Sequence, residues 1–203
     1  MMQFWFEFAS TYSYPAALRV EALARQQGIS LEWKAFLLGP IFQAQGWNDS
    51  PFNLFPVQGR YMWRDLERIC ADLELPFRRP SQFPRNSVLV ARIACRFAAE
   101  PWLPDFARAV FRANFAEDQD IARPEVLERC LESLDLPGMA LLQEAQSPAS
   151  KVLLRTQTER AVALGIFGAP TFLVGDELFW GNDRLEAALA WAARHDGSPS
   201  LGP

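Results

Sequence analysis

Residues 165–184 read GIFGAPTFLVGDELFWGNDR, and the architecture is decided there. Gly165 closes a helical pattern, because glycine takes the left-handed conformation that ends a helix without a Cβ penalty. Pro170 stands just before the β-branched and aromatic run Thr171 to Val174. Proline cannot donate to a ladder, so one that opens a strand lies at its first residue or on an edge. The Ala169-Pro170 bond is expected to be cis, which turns the Ala169 backbone toward whatever docks there. Gly175-Asp176 reads as a tight turn into a second short strand, Leu178 to Trp180. Asp183, with Glu186 three residues on, reads as a capping box for a last helix.

The other end of the chain supplies the partners of this hairpin. Gln3 to Ala9 is aromatic-rich and reads as a buried strand. A helix follows from about Tyr12 to Gln27, with Ala16, Val20, Leu23 and Ala24 on one face and Gly28 closing it. Leu31 to Phe36 alternates and reads as a second strand, parallel to the first because a helix joins the two. From Gly39 to about Ser150 strand signals stop. A loop from Gly46 to Pro56 leads to helices expected at 61–73, 87–99, 105–115, 124–133 and 148–164, the last two opened by prolines at position N1. Pro76 to Pro84 reads as a loop. Strands at both ends with a helical block between them make an α/β chain.

Composition narrows the function classes. The 203 residues suit one domain, or one domain with a large insertion. Half are hydrophobic and 13% aromatic, enough for a core and an apolar cleft. A net charge of −4 and no basic stripe argue against a nucleic-acid partner. The run Gln3 to Ala9 is too short for a membrane span or signal sequence, so no membrane partner and a cytoplasmic location are expected. Cys70, Cys95 and Cys130 form no C-x-x-C pair and read as small buried hydrophobes. With one histidine, His195, at the end of the last helix, no metal site is expected.

Three segments carry a resemblance. The Gly165 to Phe172 stretch resembles the G-[VI]-x-G-x-P-[TS]-F segment of thioredoxin-like proteins. Phe179 to Arg184 resembles the 2-hydroxychromene-2-carboxylate isomerases and kappa-class glutathione transferases. Phe6 to Tyr14 is similar to their F-x-F-x-S-P-[FY]-S-Y start, with Thr11 in place of the usual proline. The resemblance implies a thioredoxin-like fold interrupted by an all-helical insertion: residues 1–37, then the insertion 38–151, then 152–203 with a disordered tail from Asp196. It implies glutathione as cofactor, with Ser10 as the catalytic residue at its sulfur. Ala169 and Pro170 would meet its cysteinyl part, and Trp180, Gly181, Asn182 and Asp183 its γ-glutamyl end. Related disulfide oxidases carry cysteines where Ser10 and Ser13 stand, so thiol–disulfide exchange lacks both sulfurs here.

The insertion is expected to form one wall of a cleft, with Asn53, Phe52, Phe42 and Arg85 toward a small aromatic substrate. Phe42 and Gln58 occupy positions where the two families carry lysines, and Arg60, Arg79 or Arg85 either compensate or are merely solvated. Trp47, Phe52, Phe55 and Trp63 either line an apolar pocket or pack between helices. Ser10 itself has two readings at its strand-to-helix junction. It caps its helix, worth about 1 kcal/mol, or it stabilises a docked thiolate beside the positive end of the helix. The implied function is a glutathione-dependent isomerase of the 2-hydroxychromene-2-carboxylate type, acting on an aromatic or conjugated carboxylic acid through a transient glutathione adduct. The alternatives are a kappa-like transferase, or a non-catalytic aromatic-acid or peptide binder of the same fold. Family members pair, so a homodimer is expected.

Overall fold

The structure is a computed structural model that describes residues 1–195; the tail expected to be disordered, 196–203, lies outside them. Its sheet has four strands, β1 (Met2–Phe6), β2 (Leu31–Ala35), β3 (Thr171–Val174) and β4 (Glu177–Trp180), in the order β2-β1-β3-β4. Helix α1 (Ser13–Gln26) joins β1 to β2, which pair in parallel with Phe4 opposite Trp33. Between β2 and β3 run α2 (Leu38–Ala44), α3 (Pro51–Leu54), α4 (Pro56–Asp72), α5 (Val88–Arg96), α6 (Leu103–Phe115), α7 (Pro124–Glu132), α8 (Gly138–Ala145) and α9 (Pro148–Ala163). After β4 comes a 3-10 turn, Asn182–Arg184, and then α10 (Leu185–His195).

Side chains of β1 alternate across the sheet, and both faces are covered. Phe4 and Phe6 join the main core with Trp33, Phe111 and Phe172. Trp5 points the other way, into a smaller cluster with Phe36, Ile41, Ala161, Ile166 and Leu173. The two-sided burial explains why β1 is almost wholly apolar, since a strand with no solvated face has no use for polar residues. Among the described residues, no helix is long and apolar enough to cross a membrane.

Pairing directions decide where function sits. β1 and β3 are antiparallel, with Trp5 opposite Thr171, so the chain leaving β1 meets the chain entering β3. β4 returns antiparallel to β3, with Trp180 opposite Thr171, and exits at the same end. β2 also finishes there, since the Phe36 amide donates to the Phe6 carbonyl at 3.1 Å. Four segments distant in sequence therefore share one end of one sheet.

The boundaries differ from the sequence expectation for local reasons. β1 stops at Phe6 rather than Ala9, because the Ser10 amide donates back to the Glu7 carbonyl at 3.0 Å and the Ala9 amide to the Glu7 carboxylate at 3.2 Å. α4 starts at Pro56, five residues ahead of the expected start, with the proline in its first turn where no intrahelical donor is needed. α2 holds Gly39 and Pro40 in its own first turn for the same reason, and α3 uses the Ser50 hydroxyl as its cap. The expected capping box at Asp183 and Glu186 does not form. Asp183 lies inside the 3-10 turn without capping it, and Glu186 pairs with Arg19 at 2.6 Å.

Phe4 is fully buried, with ring centroids 5.1 Å from Phe6, 4.9 Å from Trp33 and 5.5 Å from Phe172. Phe4→Ala should lower unfolding free energy by about 3–5 kcal/mol in urea melts, and a loss under about 1 kcal/mol would contradict this packing.

Candidate active site

The sheet end opens into a cavity of about 1290 Å³, lined by Glu7 and Ala9 to Tyr12, by the α2–α4 region and the loop before α5, and by Phe167–Ala169 and Trp180–Asp183. Sites for a single small ligand run about 300–1,000 Å³, and this one exceeds that range.

Ser10 is buried at its floor, and its hydroxyl has two partners. Oγ donates to the Ala169 carbonyl at 2.8 Å and accepts the Ser13 amide at 3.3 Å. The hydroxyl thus satisfies an amide at the start of α1, as the capping reading expects, and also ties that start to the residue before Pro170. The Ala169-Pro170 bond is cis, as expected, and so is Phe83-Pro84, on which the sequence reading is silent. Pro170's carbonyl accepts the Gly181 amide at 2.9 Å, so the third segment is fixed to the second. Thr11 Oγ1 and Ser13 Oγ are buried beside Ser10 without hydrogen-bond partners.

Trp180 and Phe167 form an aromatic edge to the cavity, with centroids 4.8 Å apart. Gly168 lies under the indole, where a Cβ would come within 2.3 Å of Trp180 Nε1. Gly181 has φ +115°, a conformation closed to other residues, and a Cβ there would also meet Asp183 Oδ1 at 2.5 Å. Asn182 is buried and its Oδ1 accepts from Arg19 Nη2 at 2.9 Å, so α1 holds this turn in place. Asp183 is left exposed at the mouth, with Arg184 at 3.5 Å.

The opposite wall is aromatic. Phe42 packs on Trp47 at 5.7 Å, and Phe52 on Tyr12 at 6.3 Å; all four line the cavity. Trp63 is core instead, packed on Phe83 at 4.9 Å, and Phe55 lies outside the lining. Two expected substrate residues are placed differently. Asn53 does not line the cavity; its amide donates to Asp49 and to the Phe83 carbonyl at 3.2 Å, pinning α3 to the loop before α5. Arg85 does line it, but its guanidinium is spent on the protein, donating to Asn114, Gln119 and Asp118.

Glu7, Arg19 and Phe167 are the residues that sequence reasoning passed over. Glu7 carries a legible signal, a lone carboxylate inside an aromatic strand. Arg19 carries none, because its partners Asn182 and Glu186 lie over 160 positions away. Glu7 is 6% exposed and lines the cavity, with the Ser87 hydroxyl and the Ala9 amide donating to it. Burial pushes its carboxyl up from 4.5 to about 7, against those two hydrogen bonds. Each cysteine thiol is also pushed up by burial, Cys70 and Cys95 to about 12 and Cys130 to about 11. None of the three lines the cavity.

Residues 1–190 match the DSBA-like thioredoxin domain family. The chain is similar to a 2-hydroxychromene-2-carboxylate isomerase of Sphingobium xenophagum, 31% identical over 186 residues that cover 91% of this chain and 94% of that relative. It is similar to the Homo sapiens protein named Glutathione S-transferase kappa 1, 25% identical over 202 residues covering 91% and 87%. A solved structure of a 2-hydroxychromene-2-carboxylate isomerase superimposes with a TM-score of 0.83 at 27% identity, over 96% of this chain and 97% of that one.

Glu7 gives a pH signature of its own. The folded chain keeps this carboxyl protonated where the unfolded chain ionises it, so its contribution is full below about pH 4.5 and is lost as pH rises to about 7. Glu7→Gln should shrink the stability difference between about pH 5 and about pH 8, by an amount on the order of 2–3 kcal/mol. Urea melts of both proteins at the two pH values measure this; an unchanged difference would contradict a buried, neutral Glu7.

Proposed function

We propose a function from one premise: the chain belongs to the DSBA-like thioredoxin domain family and, within it, to the 2-hydroxychromene-2-carboxylate isomerases. On that premise it is an isomerase that works with glutathione on an aromatic, conjugated substrate. The observation that carries the reading is the Ser10–Ala169 contact at the floor of a two-sided cavity.

The residues present suit glutathione by their chemistry. Its peptide backbone finds a backbone partner at half-buried Ala169, and its sulfur finds a hydroxyl at Ser10 beside the start of α1. Its γ-glutamyl end, with an ammonium and a carboxylate, suits the turn after Gly181, where Asp183 is an exposed anion and the α10 end offers amides. Bound glutathione supplies a thiolate nucleophile that adds reversibly to a conjugated double bond. Ser10 holds that sulfur at the helix start, where hydrogen bonding and the helix field favour the charged form. Phe42, Trp47, Phe52 and Tyr12 hold the ring and exclude water on the facing wall. In this division the described parts of 1–37 and 152–203 hold glutathione, and 38–151, joined by Tyr12, hold the substrate.

A homodimer and a cytosolic setting, where glutathione keeps thiols reduced, go with the reading. The likeness to the human kappa-class protein favours a second reading, a transferase that leaves glutathione on its product. Incubation with 2-hydroxychromene-2-carboxylate separates them. Turnover only with glutathione, and glutathione recovered free, is expected. A stable glutathione conjugate would select the transferase, and turnover without glutathione would refute both.

Ser10→Ala should raise the apparent pKa of bound glutathione, by about one unit for about 1.4 kcal/mol of lost thiolate stabilisation. Because Oγ also satisfies the Ser13 amide, the variant should lose about 1 kcal/mol of folding stability as well. Ultraviolet titration of the bound thiolate and a urea melt read the two effects separately. Lost stability with an unshifted titration would leave Ser10 a structural residue.

A further inference from the structure

We infer that Glu7 is the acid–base residue of this cavity: its carboxylic acid gives a proton to a conjugated carbonyl oxygen of the substrate and takes it back. The inference rests on the isomerase reading of the same site and adds the residue that moves the proton.

Glu7 follows the last residue of β1 and stands between fully buried Phe6 and Phe8 in sequence, yet it lines the cavity. One short turn carries both it and Ser10, since the Ser10 amide donates to the Glu7 carbonyl at 3.0 Å. Its two side-chain hydrogen bonds both go to Oε1, from the Ala9 amide at 3.2 Å and from the Ser87 hydroxyl. Among the described residues Oε2 has no partner and is not sealed from solvent, which leaves it to face the cavity.

Packing gives no reason for an acid here. A glutamine would accept the same two bonds with no charge to bury, whereas a buried carboxylate costs free energy that neutral donors only partly return. Burial holds the carboxyl at about 7, so both its forms are populated near neutrality, as giving and retaking a proton requires. The other charged groups of the cavity walls are engaged. Arg85 pairs with Asp118, Asp65 with Tyr12 at 3.0 Å and Arg68 at 3.1 Å, and Asp49 with the Ser50 amide at 2.6 Å and Asn53. Asp183 and Tyr61 are exposed, and among the described residues no histidine, lysine or cysteine lines the cavity.

The proton balance closes within the site. When a carbon–sulfur bond forms at one end of the conjugated double bond, that π bond breaks and an electron pair passes along the conjugation to the carbonyl oxygen. The Oε2–H bond of Glu7 breaks as that oxygen takes the proton, and Glu7 is left a carboxylate. On the return the carboxylate takes the proton back, the two double bonds re-form, and the carbon–sulfur electron pair leaves with sulfur. No net proton or electron is consumed, as an isomerisation requires.

Carbon-13 NMR of protein labelled at the glutamate carboxyls reads Glu7 directly, as the resonance absent from Glu7→Gln. Without glutathione, coumarin and coumarin-3-carboxylate should each raise its titration midpoint by about one pH unit, because only the protonated acid can donate to their carbonyls. A rise with the carboxylate alone is a charge effect and would overturn the inference, as would no rise with either. In glutathione-dependent turnover of 2-hydroxychromene-2-carboxylate, Glu7→Gln should lose about 100-fold in kcat and lose the wild-type decline above about pH 7, with glutathione affinity within about twofold. A Glu7→Gln kcat near the wild-type value defeats the acid–base inference and leaves the isomerase reading standing. No wild-type turnover, with both ligands still raising the midpoint, defeats the isomerase reading alone.

Discussion

The hydrogen bond from the Ser10 hydroxyl to the Ala169 carbonyl joins residues 159 positions apart, and it exists because β1 and β3 run antiparallel. That pairing places the loop after β1 against the loop before β3, and the β4 return adds the Trp180–Asp183 segment at the same end. Ladder hydrogen bonds fix the pairing, and buried Phe4 against Phe172 on one face and Trp5 near Leu173 on the other fix its register. A slip of one residue would reverse both faces and separate Ser10 from Ala169. The site is thus a consequence of core packing, and the insertion contributes a wall to a position the sheet has already set.

The chain's own sulfurs lie away from this end of the sheet, since none of its three cysteines lines the cavity. The two helix-start positions that could hold an exchanging pair are Ser10 and Ser13. Cys70, Cys95 and Cys130 sit in α4, α5 and α7, where burial keeps each in the unreactive thiol form. On the proposed reading, the reactive sulfur arrives with glutathione. The Ser10 hydroxyl already has one donor and one acceptor role within the protein, so accepting such a ligand means exchanging the Ala169 contact for one to sulfur. The buried, unpartnered hydroxyls of Thr11 and Ser13 show that polar capacity around this point exceeds what the protein itself satisfies.

What was legible in the sequence was local. The β3–β4 hairpin announced itself through Pro170 and Gly175, and α7 and α9 through prolines that occupy the first turn as expected. α2 and the start of α4 were hidden because Gly39, Pro40 and Pro56 look like breakers yet lie in first turns, where they are harmless. Ser10, Ala169 and the 180–183 turn were visible because each sits in a strong local pattern. Asn53 and Arg85 were misplaced for the opposite reason. Asn53 bonds to Asp49 nearby, but the contacts that pin the two residues, to Phe83 for one and to Asn114 and Asp118 for the other, lie about thirty positions away and leave no local pattern. Arg19 was missed on the same ground.

The central claim is that one end of this sheet holds glutathione, with its sulfur at Ser10 and its peptide along Ala169 and the turn after Gly181. Backbone amide NMR during a glutathione titration tests it most directly. The account predicts that the amides of Ser10, Ser13, Ala169 and Gly181 to Asp183 shift together with one dissociation constant, while those of distant α7 and α8 stay still. Shifts confined to other surfaces, or none up to about millimolar glutathione, the weak end of specific binding, would contradict it.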